Sequence, residues 1–162
     1  MLNNKINILF VILLAGLLLA GSAPLKAQND NSQEMNKLMD EVKADKKALI
    51  MSYMGLTDAE NKSFLPVYNE YQAELKSLNV RLMNVIDEYA KAYKGNSVTD
   101  ELARKLLDEA VSIDNMESEM KVVYSKKLLE ILPPVKVFRY LQMENKIRAA
   151  IKYELATGIP LM

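Results

Sequence analysis

The residues that could do chemistry in this chain are few in kind. Its 162 residues contain no His and no Cys. Loss of His removes the commonest general base and the commonest transition-metal ligand. Loss of both nearly rules out an ordinary zinc site. A helical di-iron centre needs Glu-x-x-His and is impossible here. What remains is carboxylates, Lys and Arg, eight Tyr and ten Met. Asp58 with Glu60, and Asp87 with Glu88, invite an acid–base reading. Catalytic carboxylates need enclosure in a cleft, and these four fall at a helix cap and on a solvated helix face. None of the five Gly sits in a phosphate-cradling loop. An enzyme is not expected, and neither is a cofactor or a resident metal.

The soft and aromatic side chains suggest binding instead. Met51-x-x-Met54 and Met116-x-x-x-Met120 put thioethers on single helix faces. Tyr68, Tyr71, Tyr89 and Tyr93 line one side of a helix. Ordinary core filling is one reading of both sets. The other is a client- or partner-binding surface drawn from Met51, Met54, Met83, Tyr89, Tyr93, Met116 and Met120, since Met adapts to varied partners. Cu(I) is a third reading for the Met pairs, but nothing positions another ligand. Lys43, Lys46 and Lys47, Lys126 and Lys127, and Lys146, Arg148 and Lys152 form small basic clusters. These read as solvated helix faces, or as the charged part of a binding surface.

Those side chains ride on a chain with a marked beginning. Lys5 lies in a short polar start, an apolar run follows from Ile8 to Gly21, and small residues lead to Ala27. That order describes a cleavable signal peptide over residues 1–27, with an uncleaved anchor as the alternative. The mature chain, 28–162, loses Lys5 and Lys26 from 21 basic residues, leaving 19 against 21 acidic ones. A net charge near −2 gives no footprint for nucleic acid and no pull toward anionic lipid. Without Cys, no disulfide can reinforce a fold in an oxidising compartment.

Apolar residues recur at three- and four-residue steps through almost all of 33–156, which is helical periodicity. Four helices are expected. The first covers about 33–54, on Met35, Met39, Val42, Leu49 and Tyr53, with Leu38 and Ile50 alongside, Lys46 interrupting the stripe and Gly55 ending it. The second opens on the capping box Thr57-x-x-Glu60. It carries the heptad seam Phe64, Tyr68, Tyr71, Leu75, Leu78, Leu82, Val85 and Tyr89, and ends at Gly95-Asn96. The third starts at Thr99, on Leu102, Leu106, Ala110, Ile113, Met116, Met120, Val123 and Ile131, with Leu107, Tyr124 and Leu128 flanking. Pro133-Pro134 ends it and begins a fourth, on Val137, Leu141, Ile147, Ile151 and Leu155, with Phe138 and Tyr140 beside. The turn at 95–98 makes the middle pair a long antiparallel hairpin. The fold class is therefore all-α: an elongated, cradle-like four-helix protein in one domain, 28–162, with its core at about 44–155. Pro66, where the second helix is already under way, removes a hydrogen bond to the carbonyl of Lys62 and should bend the helix.

Two helix starts look alike, Leu56-Thr57-Asp58-Ala59-Glu60 and Leu132-Pro133-Pro134-Val135-Lys136. They resemble the duplicated LTxxQ motif of the Spy/CpxP family of bacterial envelope-stress proteins. Leu56 and Thr57 match in the first copy, with Glu60 for Gln; the second keeps Leu132, with Pro133 for Thr and Lys136 for Gln. The longer text LTDAENKSFLPVYNEY is similar to the LTxxEAxxFWPVYNxY signature of Bacteroidetes-type proteins labelled sensors of ECF-type sigma factors. It matches through Leu56, Thr57, Glu60, Phe64, Pro66, Val67, Tyr68, Asn69 and Tyr71. The resemblance implies a periplasmic helical protein, usually an antiparallel homodimer, with no membrane span once the signal is removed. It also implies ATP-independent binding of unfolded or partly folded proteins on an amphipathic face. The alternative role is that of an interaction protein serving one dedicated envelope sensor or anti-sigma partner. A structural oligomer built through the heptad seam is the third. The near-neutral charge departs from the basic client face of the family, and reduces long-range attraction of clients.

Overall fold

A computed structural model describes residues 44–161. The expected signal segment, Met35, Leu38, Met39, Val42 and Lys43 lie outside the described residues. The protein is all-α, and among the described residues there are four helices and no strand. Helix α1 covers 44–54 of the described chain, α2 is Asp58–Lys94, α3 is Asp100–Leu129 and α4 is Pro134–Gly158.

Each boundary has a local cause. Gly55 adopts φ 56°, the left-handed conformation that closes α1 without a Cβ clash. Thr57 then caps α2. Its Oγ1 accepts from the Glu60 N–H at 3.3 Å, and Glu60 Oε2 accepts from the Thr57 N–H at 2.7 Å. The expected reciprocal box is thus complete. At the far end Gly95 is right-handed, and Asn96 is the residue with positive φ, 49°. Asn tolerates this region better than other side chains do. Thr99 Oγ1 accepts from Leu102 N–H at 3.2 Å to start α3. Pro134 occupies the first turn of α4, where its missing N–H costs nothing.

Helix α2 runs 37 residues without a break through Pro66, roughly 55 Å at the standard rise. Pro66 and Lys62 are both exposed, on the solvent side of the helix, where water can serve a carbonyl that has lost its donor. This is why a mid-helix proline is tolerated there.

The described residues form two compact units. The larger is Leu56–Gln142 with 155–161. In it α2 and α3 form the expected antiparallel hairpin: Glu70 pairs with Lys127, Arg81 with Glu109 and Glu88 with Lys105. Its core near the α2 start is aromatic. Phe64, Tyr68, Tyr71, Tyr124 and Tyr140 are all buried. Tyr140 lies edge-on to Phe64 at 5.2 Å, to Tyr71 at 5.9 Å and to Tyr68 at 6.2 Å, and Tyr71 meets Tyr124 at 5.3 Å. Edge-to-face rings gain beyond the area they bury.

The smaller unit joins α1 to Met143–Glu154 of α4. Ile50 and Met54 are fully buried, one turn apart, and Lys46 continues their line. Lys46 Nζ donates to the buried Glu144 carboxylate at 2.9 Å. The lysine that interrupts the α1 stripe is thereby paired.

The buried faces differ from the expected stripes by a rotation. On α2, Leu82, Val85 and Tyr89 are only half-buried, and Ile86 and Ala92 take the core positions. An α-helix drifts about 20° per heptad from a strict seven-residue repeat. Three heptads past Phe64 the seam has turned about 60°, enough to exchange one residue for the next. On α3 the core runs Leu106, Ile113, Glu117, Met120, Tyr124 and Leu128, while Met116 and Val123 are exposed. On α4 it runs Val137, Tyr140, Glu144 and Arg148. Leu141, Ile147, Ile151 and Leu155 are half-buried and Phe138 is exposed. Tyr53, expected on the α1 stripe, is exposed where Met54 is buried.

Candidate functional site

The two motif copies meet. Leu56 is half-buried and Leu132 buried, each ahead of its helix. Four residues after Leu56 stands Glu60; four after Leu132 stands Lys136. Lys136 Nζ donates to Glu60 Oε2 at 2.6 Å. One carboxylate oxygen thus takes the Lys136 ammonium and the Thr57 N–H together. The Lys136 hydrogen bond first, and the Thr57 N–H next, hold Glu60 at about 2 against an ordinary 4.5. Glu60 and Lys136, at equivalent places after Leu56 and Leu132, are a complementary pair. They clasp the start of α2 to the start of α4. Pro133 is the N-cap residue of α4 and makes no side-chain cap hydrogen bond. Phe64 and Tyr68 lead from this clasp into the aromatic core, and Pro66 stays on the outer face.

A second polar centre lies farther along the hairpin. Arg81 donates from Nε to Glu109 Oε1 at 2.7 Å and from Nη2 to Glu109 Oε2 at 2.9 Å, a two-pronged contact, and Nη2 also reaches Ser112 Oγ at 3.1 Å. The pairing raises the Arg81 pKa and lowers that of Glu109. With Asn84, Val85, Glu88, Lys105 and Leu106, Arg81 and Glu109 line a groove of ≈ 200 Å³. Its charges are already matched to each other.

The residues expected to bind clients separate. Met54 and Met120 are buried core and are corrected here to packing residues. Met54 falls on the Ile50 line of α1, and Met120 falls between Glu117 and Tyr124 on the rotated α3 face. Met51 and Met83 are half-buried. Met116 and Tyr93 are exposed, and Arg81 Nη1 donates toward the Met116 sulfur. Tyr89 and Tyr93 form a tilted pair at 5.8 Å, and the Tyr89 hydroxyl donates to the Pro160 carbonyl at 2.8 Å. The apolar tail therefore folds back onto the tyrosines. Tyr68 and Tyr71 belong to the core.

Sequence reasoning missed the buried acids Glu117 and Glu144, because a charged residue in an apolar stripe reads as a gap. Each has a cation: Lys121 lies 3.1 Å from Glu117, and Lys46 serves Glu144. The i,i+4 spacing of Glu117 and Lys121 was the available signal. Missed as well were the exposed Val135 and Phe138, one turn apart on either side of Lys136. Among the described residues no group of three or more acidic side chains could hold a metal ion, and no helix is long and apolar enough to cross a membrane. The sequence matches no protein-family model, and comparison with curated proteins and with solved structures returns no match.

Proposed function

We propose that this is a Spy/CpxP-like periplasmic protein that binds unfolded or partly folded clients without ATP and without chemistry. The observation that carries the reading is the pair Val135 and Phe138, 64% and 65% exposed. They share one face of the first turns of α4, on either side of the clasp residue Lys136. Large apolar side chains left open beside a rigid, fully paired anchor are suited to transient apolar contact. Lys136 and Arg139 flank them in sequence, so the patch mixes apolar and basic groups although the whole chain is neutral. The clasp would fix the first turn of α4, so a client meets a preformed surface and less ordering entropy is lost on binding.

The test is suppression of aggregation. The purified protein in several-fold excess should slow the light scattering of several chemically unfolding substrates, and Val135→Ser with Phe138→Ser should remove most of that effect while the helical melt stays intact. No suppression by the unaltered protein would overturn the reading. A single stoichiometric envelope partner, captured without general client binding, would move the assignment to a dedicated signalling role.

A further inference from the structure

Arg81 and Met116 meet across the α2–α3 hairpin in a contact that ion pairing does not explain. Glu109, Ser112 and Met116 follow one another on α3 at steps of three and four, so they share a face. Arg81 of α2 reaches all three. Its Nε and Nη2 hold the two Glu109 oxygens, and Nη2 also holds Ser112 Oγ. The guanidinium is thereby fixed, and its rigid fork aims Nη1 at the Met116 sulfur, 2.7 Å away. A thioether is a weak acceptor. A charged donor at that spacing suits an oxygen.

The sulfur can acquire that oxygen. With no Cys in the chain, a two-electron oxidant meets methionine as the reactive sulfur. Met116 is 44% exposed. Among the described residues, Met51, Met83 and Met143 are half-buried, and Met54 and Met120 are buried. Oxidation follows exposure, so Met116 is the most reactive of these. A thioether sulfur has two lone pairs, and Arg81 engages one. The other attacks one oxygen of a peroxide. The O–O bond breaks as the S–O bond forms, and the departing hydroxide takes the proton of the transferred oxygen and leaves as water. Sulfur is oxidised by two electrons to the sulfoxide, and the peroxide is reduced.

We propose that Met116 is a reversible oxidation site for peroxide-class oxidants, with Arg81 placed to hold the sulfoxide. The new oxygen is a far stronger acceptor than the thioether. The flexible Met side chain swings back and presents it to Nη1. Sulfoxide formation in a core disrupts packing. At this exposed position it adds instead a charge-assisted hydrogen bond between α2 and α3. The bond falls where α2 contributes Leu82, Val85 and Tyr89 only half-buried, so oxidation tightens a thinly packed stretch of the hairpin. A methionine sulfoxide reductase reverses the change. The site lies away from Val135 and Phe138 in sequence and does not depend on client binding.

The test starts from the folded protein and limited hydrogen peroxide. Peptide mass mapping should find one oxygen added to Met116 several-fold faster than to Met51, Met83 or Met143. In the singly oxidised protein, amide exchange over 82–88 and 109–116 should slow about fivefold. A sulfoxide reductase with a thiol reductant should restore the original rate. Met116→Gln, which carries an amide oxygen on a side chain of similar length, should slow exchange with no oxidant present. Arg81→Lys keeps the charge but lacks the fork, and should abolish the slowing by peroxide. The proposal is overturned if Met116 oxidises no faster than the half-buried methionines. It is equally overturned if oxidation leaves exchange unchanged or faster in the unaltered protein, or if Arg81→Lys shows the same slowing. Circular dichroism checks that each variant stays helical, and the unaltered protein with Met116→Gln decides the matter should Arg81→Lys unfold.

Discussion

The two ends of the α2–α3 hairpin are held in different ways. Near the α2 start, buried rings from α2, α3 and α4 interlock, and Tyr124 Oη donates to Glu74 at 2.8 Å. Toward the turn at 95–99, α2 contributes Leu82, Val85 and Tyr89 only half-buried, and Arg81–Glu109 and Glu88–Lys105 bridge the helices at partly exposed positions. Apolar burial contributes about 25 cal/mol per Å², while exposed ion pairs contribute about 0–1 kcal/mol each. The aromatic end therefore sets the stability of the larger unit, and the turn end is the first to open. Amide exchange should show this directly: the amides of 68–78 should be protected to the global limit, and those of 82–92 should exchange through local opening.

The largest effect that would sharpen the contrast is Phe64→Ala. Loss of a fully buried ring should cost about 3–5 kcal/mol, read by chemical denaturation, whereas Ile86→Ala at the thinner end should cost about 2 kcal/mol. Equal costs would break the comparison.

Tyr124→Phe comes next. Burial first, and the Glu74 carboxylate second, push the Tyr124 hydroxyl well above its usual range, so it stays protonated and donating at any physiological pH. Its removal should cost about 1.5–3 kcal/mol, the range for a hydrogen bond to a charged group. Thr57→Ala should cost about 1 kcal/mol as a lost N-cap. Arg81→Ala at the turn end should shift the denaturation midpoint less than Thr57→Ala does; a larger loss would mean that the groove residues are coupled more tightly than their exposure indicates.

The clasp adds a pH dependence. The folded pKa of Glu60, about 2, lies below its ordinary 4.5. Its contribution is therefore complete above about pH 4.5 and is lost as pH falls toward 2. Acid titration of the folded protein should show this component, and Lys136→Met should remove most of it while leaving the Thr57 cap. An unchanged acid profile in Lys136→Met would dissociate the clasp from stability.

The elements that were legible in the sequence are those fixed by local chemistry. Thr57 and Glu60, Gly55, Thr99 and Pro134 mark helix ends because a cap or a missing N–H acts within one turn. The faces were less legible. A strict heptad past Leu78 predicts Val85 in the core, and the 3.6-residue turn brings Ile86 there instead. Tyr124 and Leu128, beside the expected α3 stripe, lie in the core. Glu117 and Glu144 broke the apolar pattern because their partners, Lys121 and Lys46, cannot be seen in a stripe count, and Lys46 is 98 residues from Glu144. The two-copy motif was visible as text, but the ion pair between its equivalent positions needed coordinates.

That separation of 98 residues also has a consequence for how the chain is made. A ribosome or a secretion channel delivers the polypeptide from its N-terminus, and domains tend to fold in that order. The smaller unit cannot close that way, since residues 44–55 must wait for Met143–Glu154. For most of its synthesis the nascent chain carries Lys46, Ile50 and Met54 before the segment they pack with in the smaller unit has emerged. Pairs so distant in sequence form slowly. The hairpin can be complete while this unit is still open, which leaves the N-terminal segment as the stretch most exposed to proteases during biogenesis.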